Sequence, residues 1–185
     1  MASIISLAPE LIQQILDNCD PASHLNLALA CRGLRDRVDF ILQHHQFCHV
    51  HYRTTSDIHP STIPRLLRTI IIKRDWVAAW HFRSIEIWGS RTTWEDWKES
   101  YELVGPDEGG QTIPPDTDAG TSYGPGFFTE PELDRFQEFI VKDLGLGVEG
   151  VDWLDHIKNG RDDVLKVLLI AACSRLRAVR FIRGR

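Results

Sequence analysis

From Leu7 to Val38 apolar residues recur at helical spacing. Leu11, Ile12, Ile15 and Leu16 fall on one helical face, with Gln13, Gln14 and Asp17 turned away. Pro9 suits the first turn of this helix, where a missing N–H costs nothing. Asp20-Pro21 ends it and starts another, since Asp caps helix N-termini well and Pro fits the first helical position. Leu25, Leu29, Leu34 and Val38 supply the next stripe, broken by a short turn at Cys31-Arg32-Gly33. Helices this short carry more apolar surface than they can bury among themselves. The surplus predicts a partner.

The pattern then continues as a helix from Asp39 to Arg53 and gives way to a loop over Thr54 to Pro64, with Pro60 and Pro64 as breakers. Leu66, Leu67, Ile70 and Ile71 mark a further helical stripe, with Arg65, Arg68 and Lys73 facing water and a break at Arg74-Asp75. Phe82 to Ile87 alternates as a short strand. Trp94, Trp97 and Tyr101 share a helical face in an acidic segment from Thr92 to Tyr101. The Gly-, Pro- and Asp-rich run after it, about 104–128, reads as an exposed mobile insertion in which almost nothing is buried.

Thr129-Glu130-Pro131-Glu132 predicts a helix start, with Leu133, Phe136, Ile140 and Leu144 as its apolar face and Gly145 or Gly147 as its end. Val151, Trp153, Leu154 and Ile157 mark a short helix ending at Asn159-Gly160. Asp162-Asp163 opens a strongly apolar helix, after which Leu176 to Phe181 reads as a strand. A helix-then-strand unit thus occurs twice, at Arg65 to Ile87 and Asp162 to Ile182, each strand able to lie parallel to its neighbour. The apolar-x-x-apolar-x-apolar spacing of both strands is that of a leucine-rich-type repeat. Such units bury their surface by stacking, and two are few for an independent solenoid.

The N-terminal stretch resembles an F-box, the helical module by which substrate receptors dock onto a Skp-type adaptor in Skp–cullin–F-box ubiquitin ligases. The residues that carry the resemblance are Leu7, Pro9, Glu10, Leu11, Ile15-Leu16, Asp20-Pro21, Leu25, Leu29 and Cys31-Arg32-Gly33-Leu34-Arg35. Ala8 separates Leu7 from Pro9, and Leu34 stands where many members have Trp. The later region is similar to the part of many fungal members that lies C-terminal to the F-box, where "LLRT", a strand, an acidic insertion and a leucine-rich unit succeed one another. The expected fold is α+β and mainly α. A three-helix F-box module at 1–53 precedes a region at 54–185 of leucine-rich-repeat-like helix–strand units with a small parallel sheet and the long insertion. The resemblance implies adaptor contacts from Leu7, Pro9, Leu11, Ile12, Ile15, Leu16, Leu25, Leu29 and Leu34. It also implies a cullin ligase reached through that adaptor, and an unknown target held by the later region. Trp88, Trp94 and Trp97 are candidate anchors for that target, because aromatic residues are enriched at interface hot spots; core packing explains them as well.

Composition narrows the alternatives. Across 185 residues, 43% hydrophobic and 25% charged content are those of a globular protein, and a formal net charge of −5 disfavours nucleic acid as the main partner. In a helix-turn-helix DNA reader, Arg32, Arg35 and Arg37 would have to outweigh Asp36 and Asp39. No apolar run is long enough to span a bilayer, and the first residues lack a secretory pattern. Cys19, Cys31, Cys48 and Cys173 are scattered, which suits reduced thiols in the cytoplasm or nucleus. His44, His45, Cys48, His49 and His51 form the densest group of metal-ligand types, but at no closed-site spacing. The alternative to a receptor is therefore a helical scaffold with zinc at this cluster; the expected set contains no metal or other cofactor. No nucleophile–base signature is present, so a non-catalytic adaptor is expected. The basic end, Arg175 to Arg185, suits a polyanion-binding tail or, the favoured reading, solvated edge-strand arginines that discourage aggregation.

Overall fold

The computed structural model describes residues 4–58, 61–88, 125–147 and 149–182. The Trp94–Trp97 segment and the insertion up to residue 124 lie outside them. The described chain is mainly helical, with one three-stranded parallel sheet. Its first four helices are α1 (Pro9–Asp17), α2 (Pro21–Ala30), α3 (Arg32–Arg37) and α4 (Asp39–Tyr52). Ala8 is extended and serves as N-cap of α1, so Pro9 keeps the first-turn position despite the residue separating it from Leu7. Asp20 caps α2 through the N–H groups of Ala22 and Ser23 at 2.9 and 3.2 Å, and Pro21 follows as its first residue. Extended Cys31 separates α2 from α3. Arg37 donates to the Leu7 carbonyl at 2.7 Å, tying the start of the module to α3.

Thr54–Ser56, expected within a loop, is strand β1. It pairs in parallel with β2 (Ser84–Trp88), which pairs in parallel with β3 (Ala178–Ile182). β1 escaped detection because it is three residues long and has no apolar alternation. It is held instead by Asp57 just beyond it, whose backbone N–H donates to the Glu86 carbonyl at 3.0 Å and whose carboxylate accepts from the Trp88 N–H at 2.7 Å. Thr55 and Ile85, neighbours across the sheet, are buried. β3 is the last strand, and its Phe181 is 78% exposed.

Helix α5 (Thr62–Leu67) runs into a π turn at Arg68–Ile72, and α6 (Trp76–His81) comes next, capped by Asp75 through the Ala78 N–H. Arg74 adopts φ 56°, a left-handed residue that turns the chain at the expected break. Arg68, expected to face water, instead pairs with Glu132 at 2.5 and 3.0 Å and lies 4.4 Å from the Phe127 ring centroid. Phe128 is buried and meets Phe136 edge-on at 4.8 Å. Thus the last residues assigned to the insertion belong to the core.

Helix α7 (Glu130–Glu138) opens with a capping box of Thr129 and Glu132 and also ends in a π turn, Phe139–Asp143. Helices α8 (Glu149–Lys158) and α9 (Asp162–Ala172) complete the second helix–strand unit, separated by Gly160 at φ 72°. One core runs from Ile12 and Leu16 through Leu67, Ile70 and Ile85 to Phe136, Leu165 and Leu169.

Candidate functional site

The N-terminal residues of the apolar stripes divide by burial. Ile12, Leu16 and Leu34 lie in the protein interior, so they hold the helices together. Burial thus divides the set expected on the partner-facing side into interior and exposed members. An apolar face on a helix this short must be shared between core and surface, and spacing alone does not divide it. Leu29 is 83% exposed, Leu11 46% and Ile15 36%, and Pro9 is exposed as well. Leu7 and Leu25 are half-buried. Exposed leucines and isoleucines on consecutive short helices leave apolar surface in water, and apolar surface of this kind suits an interaction site.

The histidine-rich segment of α4 divides into separate assemblies. His45 projects inward and joins a buried chain with His24 of α2 and His81 of α6, at 3.1 and 2.9 Å. His24 Nε2 lies 2.9 Å from the Leu16 carbonyl, which only accepts, so the proton sits on that nitrogen. His24 Nδ1 then accepts from His45 Nε2, and His45 Nδ1 accepts from His81 Nε2. The chain is fully hydrogen-bonded while all three rings are neutral. It links the N-terminal module to the helix that precedes β2.

Burial, then the charges of neighbouring His24 and His44, lowers His45 to about 4. Burial, then His45, His49 and nearby arginines, lowers His81 to about 4. Both folded values lie below the ordinary 6.5, so the unfolded chain binds more protons and stability falls as pH drops from 6.5 towards 4. The expected loss is on the order of 2 kcal/mol by pH 5, read from urea unfolding; equal midpoints at pH 7 and pH 5 would contradict it. His44 acts with the opposite sign, since its hydrogen bond to Asp75 raises it. At 37% side-chain exposure, however, its contribution is weakened by solvent.

His44, Cys48 and Asp75 form the second assembly. His44 Nε2 lies 2.8 Å from Asp75 Oδ2 and 3.6 Å from Cys48 Sγ, and the three ligand atoms lie within 4.8 Å of one another. Nitrogen, sulfur and oxygen donors at this spacing suit a zinc-type ion. The Cys48 sulfur lies 3.6 Å from Nε2 and 4.0 Å from Nδ1 of His44, closer to the nitrogen that Asp75 already engages. The Cys48 thiol is also pushed up, by burial and then by the Asp75 charge, the reverse of thiolate activation. His51 stands apart from both assemblies, its ring 4.3 Å from Phe47. Trp88 ends β2 and is half-buried. His24 and His81, which complete the imidazole chain, carry no signal at sequence level, because their contacts span 21 and 36 residues from His45.

No described helix is long and apolar enough to cross a membrane. No curated protein and no solved structure matches the chain. Residues 4–41 match the family model described as the F-box domain, the interval that holds α1, α2, α3 and the start of α4. F-box domains bind Skp-type adaptors within cullin ligases, and the match implies that role here. The N-terminal helical module of this chain is an F-box domain.

Proposed function

We propose that the protein is the substrate receptor of a Skp–cullin–F-box ubiquitin ligase, docking through the open part of its F-box and holding a target with the sheet-bearing region. The observation that carries this reading is the F-box itself together with its uncovered Leu11, Ile15 and Leu29. Pro9, Leu7 and Leu25 extend the proposed adaptor surface, with Ile12, Leu16 and Leu34 supporting it from within. Burying these side chains, at about 25 cal/mol per Å² of apolar area, gives a stable complex after association costs.

The receptor role further draws on the way the two regions are joined. The His24–His45–His81 chain and the shared core make the F-box and the sheet one packed body. A target held on that body keeps a fixed orientation to the docked adaptor, and fixed orientation is what a non-catalytic receptor contributes to ubiquitin transfer. The helix–strand units are proposed to be leucine-rich-repeat-like, in keeping with the parallel pairing of β2 and β3. Trp88 remains a proposed target contact; Trp94 and Trp97, proposed with it, lie outside the described residues.

Quantifying ubiquitin-modified proteins in cells that express wild type or Leu29→Asp tests the receptor role. A set of proteins whose modification needs the intact Leu29 is expected. Identical profiles, with both variants present at equal levels, would sink it. A second reading, a metal-holding scaffold, is favoured only by the convergence of His44, Cys48 and Asp75. Metal analysis of the purified protein tests it: stoichiometric zinc that is lost in Cys48→Ala supports it, and metal-free wild type refutes it.

A further inference from the structure

Strand β3 forms one edge of the sheet among the described residues. The Ala178 N–H donates to the Arg83 carbonyl at 3.2 Å, and residues along a parallel strand alternate in the side to which their backbone groups turn. Val179 and Phe181 therefore direct their N–H and C=O groups away from β2. Groups of this kind are a template for a further strand.

The side chains of the same two residues continue the core face of the sheet. Val179 lies opposite Ile85, and Phe181 opposite Ile87. Ile85 is fully buried and Ile87 packs against the core, whereas Val179 is 40% and Phe181 78% exposed. The cover over this face thus thins between β2 and β3. On α9, the helix of the same unit, Val167 and Ile170 stand three residues apart on one face and are exposed as well. A helix–strand unit buries such surface by stacking on a neighbour. A strand laid along β3 covers Val179 and Phe181 when its own apolar side chains come at alternate positions.

Charge identifies what stands between those apolar positions. Arg180 separates Val179 from Phe181 and points to the opposite face. Its side chain is 61% exposed, and one guanidinium nitrogen lies 3.4 Å from Glu86. A guanidinium has five N–H donors, so one long contact leaves most of them for other acceptors. From Cys173 to Arg185 the sequence holds five arginines and no acidic residue. A second copy of the chain pairing antiparallel about Arg180 would set that arginine against its counterpart, and like charges directly opposite are destabilising. An acidic residue at the same position is stabilised by the same geometry.

We propose that β3 accepts an extended segment of the target protein as a fourth strand, and that this segment reads apolar–acidic–apolar opposite Val179, Arg180 and Phe181. The inference rests on the receptor role proposed for the chain. Main-chain bonds to Val179 and Phe181 supply affinity, and the pairing with Arg180 supplies selectivity. Arg180 keeps its expected role as an edge arginine that discourages aggregation, because the charge that opposes self-pairing also selects the partner.

The test is fluorescence anisotropy of nine-residue peptide pools, degenerate at both ends around a fixed Val-Glu-Val or Val-Lys-Val centre, titrated with the full-length protein at constant ionic strength. The Glu pool is expected to bind about fivefold or more tighter than the Lys pool. Methylating the backbone nitrogens of the fixed centre should abolish binding, since it removes the ladder donors that capture by side chains alone does not need. Phe181→Pro deletes an N–H that β2 does not use and should abolish binding of both pools. Arg180→Glu should invert the preference in favour of the Lys pool. Arg180 is exposed, so its variant keeps the test valid even if Phe181→Pro fails to fold. Equal affinity for the two pools, or binding of neither, would overturn the proposal. Full affinity of the methylated pool would overturn strand addition, and a preference unchanged in Arg180→Glu would overturn the assignment to β3. A dimer of the free protein in sedimentation that Phe181→Pro dissociates would put a second copy in place of the target segment. Adaptor binding, measured in parallel, should survive both variants; its absence in wild type would count against the receptor role and leave the strand-addition result standing.

Discussion

Leu29→Asp is expected to abolish binding to a Skp-type adaptor and to leave the protein folded. At 83% exposure Leu29 contributes little to the core, and surface substitutions away from special features usually change stability by less than about 0.5 kcal/mol. Against an apolar partner surface, the introduced carboxylate loses its water without gaining a counter-charge, a cost of several kcal/mol. Affinity should therefore fall by about 100-fold or more. Ile15→Asp acts in the same direction. Its neighbour Leu16 is buried, so Leu16→Asp should unfold the module outright. Titration calorimetry with the adaptor, paired with thermal melting of each variant, separates the two behaviours. Wild-type affinity in folded Leu29→Asp would remove Leu29 from the docking face.

Lys166→Met is expected to cost about 3–5 kcal/mol of stability. Lys166 Nζ lies 2.7 Å from Asp57 Oδ2 and 2.7 Å from Asp162 Oδ2, and all three side chains are buried. The same Asp57 carboxylate accepts the Trp88 N–H, and its own N–H closes onto Glu86, so the ion cluster anchors α9 to the junction of β1 and β2. Removing the ammonium leaves two carboxylates facing each other away from water. Replacing the whole cluster by apolar groups is often harmless, whereas removing one member is not. Urea unfolding of Lys166→Met reads the effect; a change below about 1 kcal/mol would mean that the cluster is not sustaining the sheet.

Much of the architecture was legible because it depends on short-range chemistry. Pro9, Asp20-Pro21 and the Thr129 capping box mark helix starts by satisfying N–H groups within a few residues. β2 and β3 show in the apolar-x-x-apolar-x-apolar spacing around them, and their parallel pairing is set up by the helix that precedes each. What escaped depends on pairings distant in sequence. β1 exists because Asp57 and the register with β2 hold it. Arg68 meets Glu132 across 64 residues, and the imidazole chain connects positions 24, 45 and 81. The division of the N-terminal apolar stripes was only half legible: an i, i+3, i+4 pattern identifies an apolar face but not how much of it the core consumes.

The central assignment is docking of the F-box on a Skp-type adaptor, and co-expression followed by size-exclusion chromatography tests it most directly. Wild type should elute with the adaptor as an equimolar complex that Leu29→Asp fails to form. Folded wild-type protein eluting apart from the adaptor, at concentrations where the complex should be saturated, would contradict the assignment.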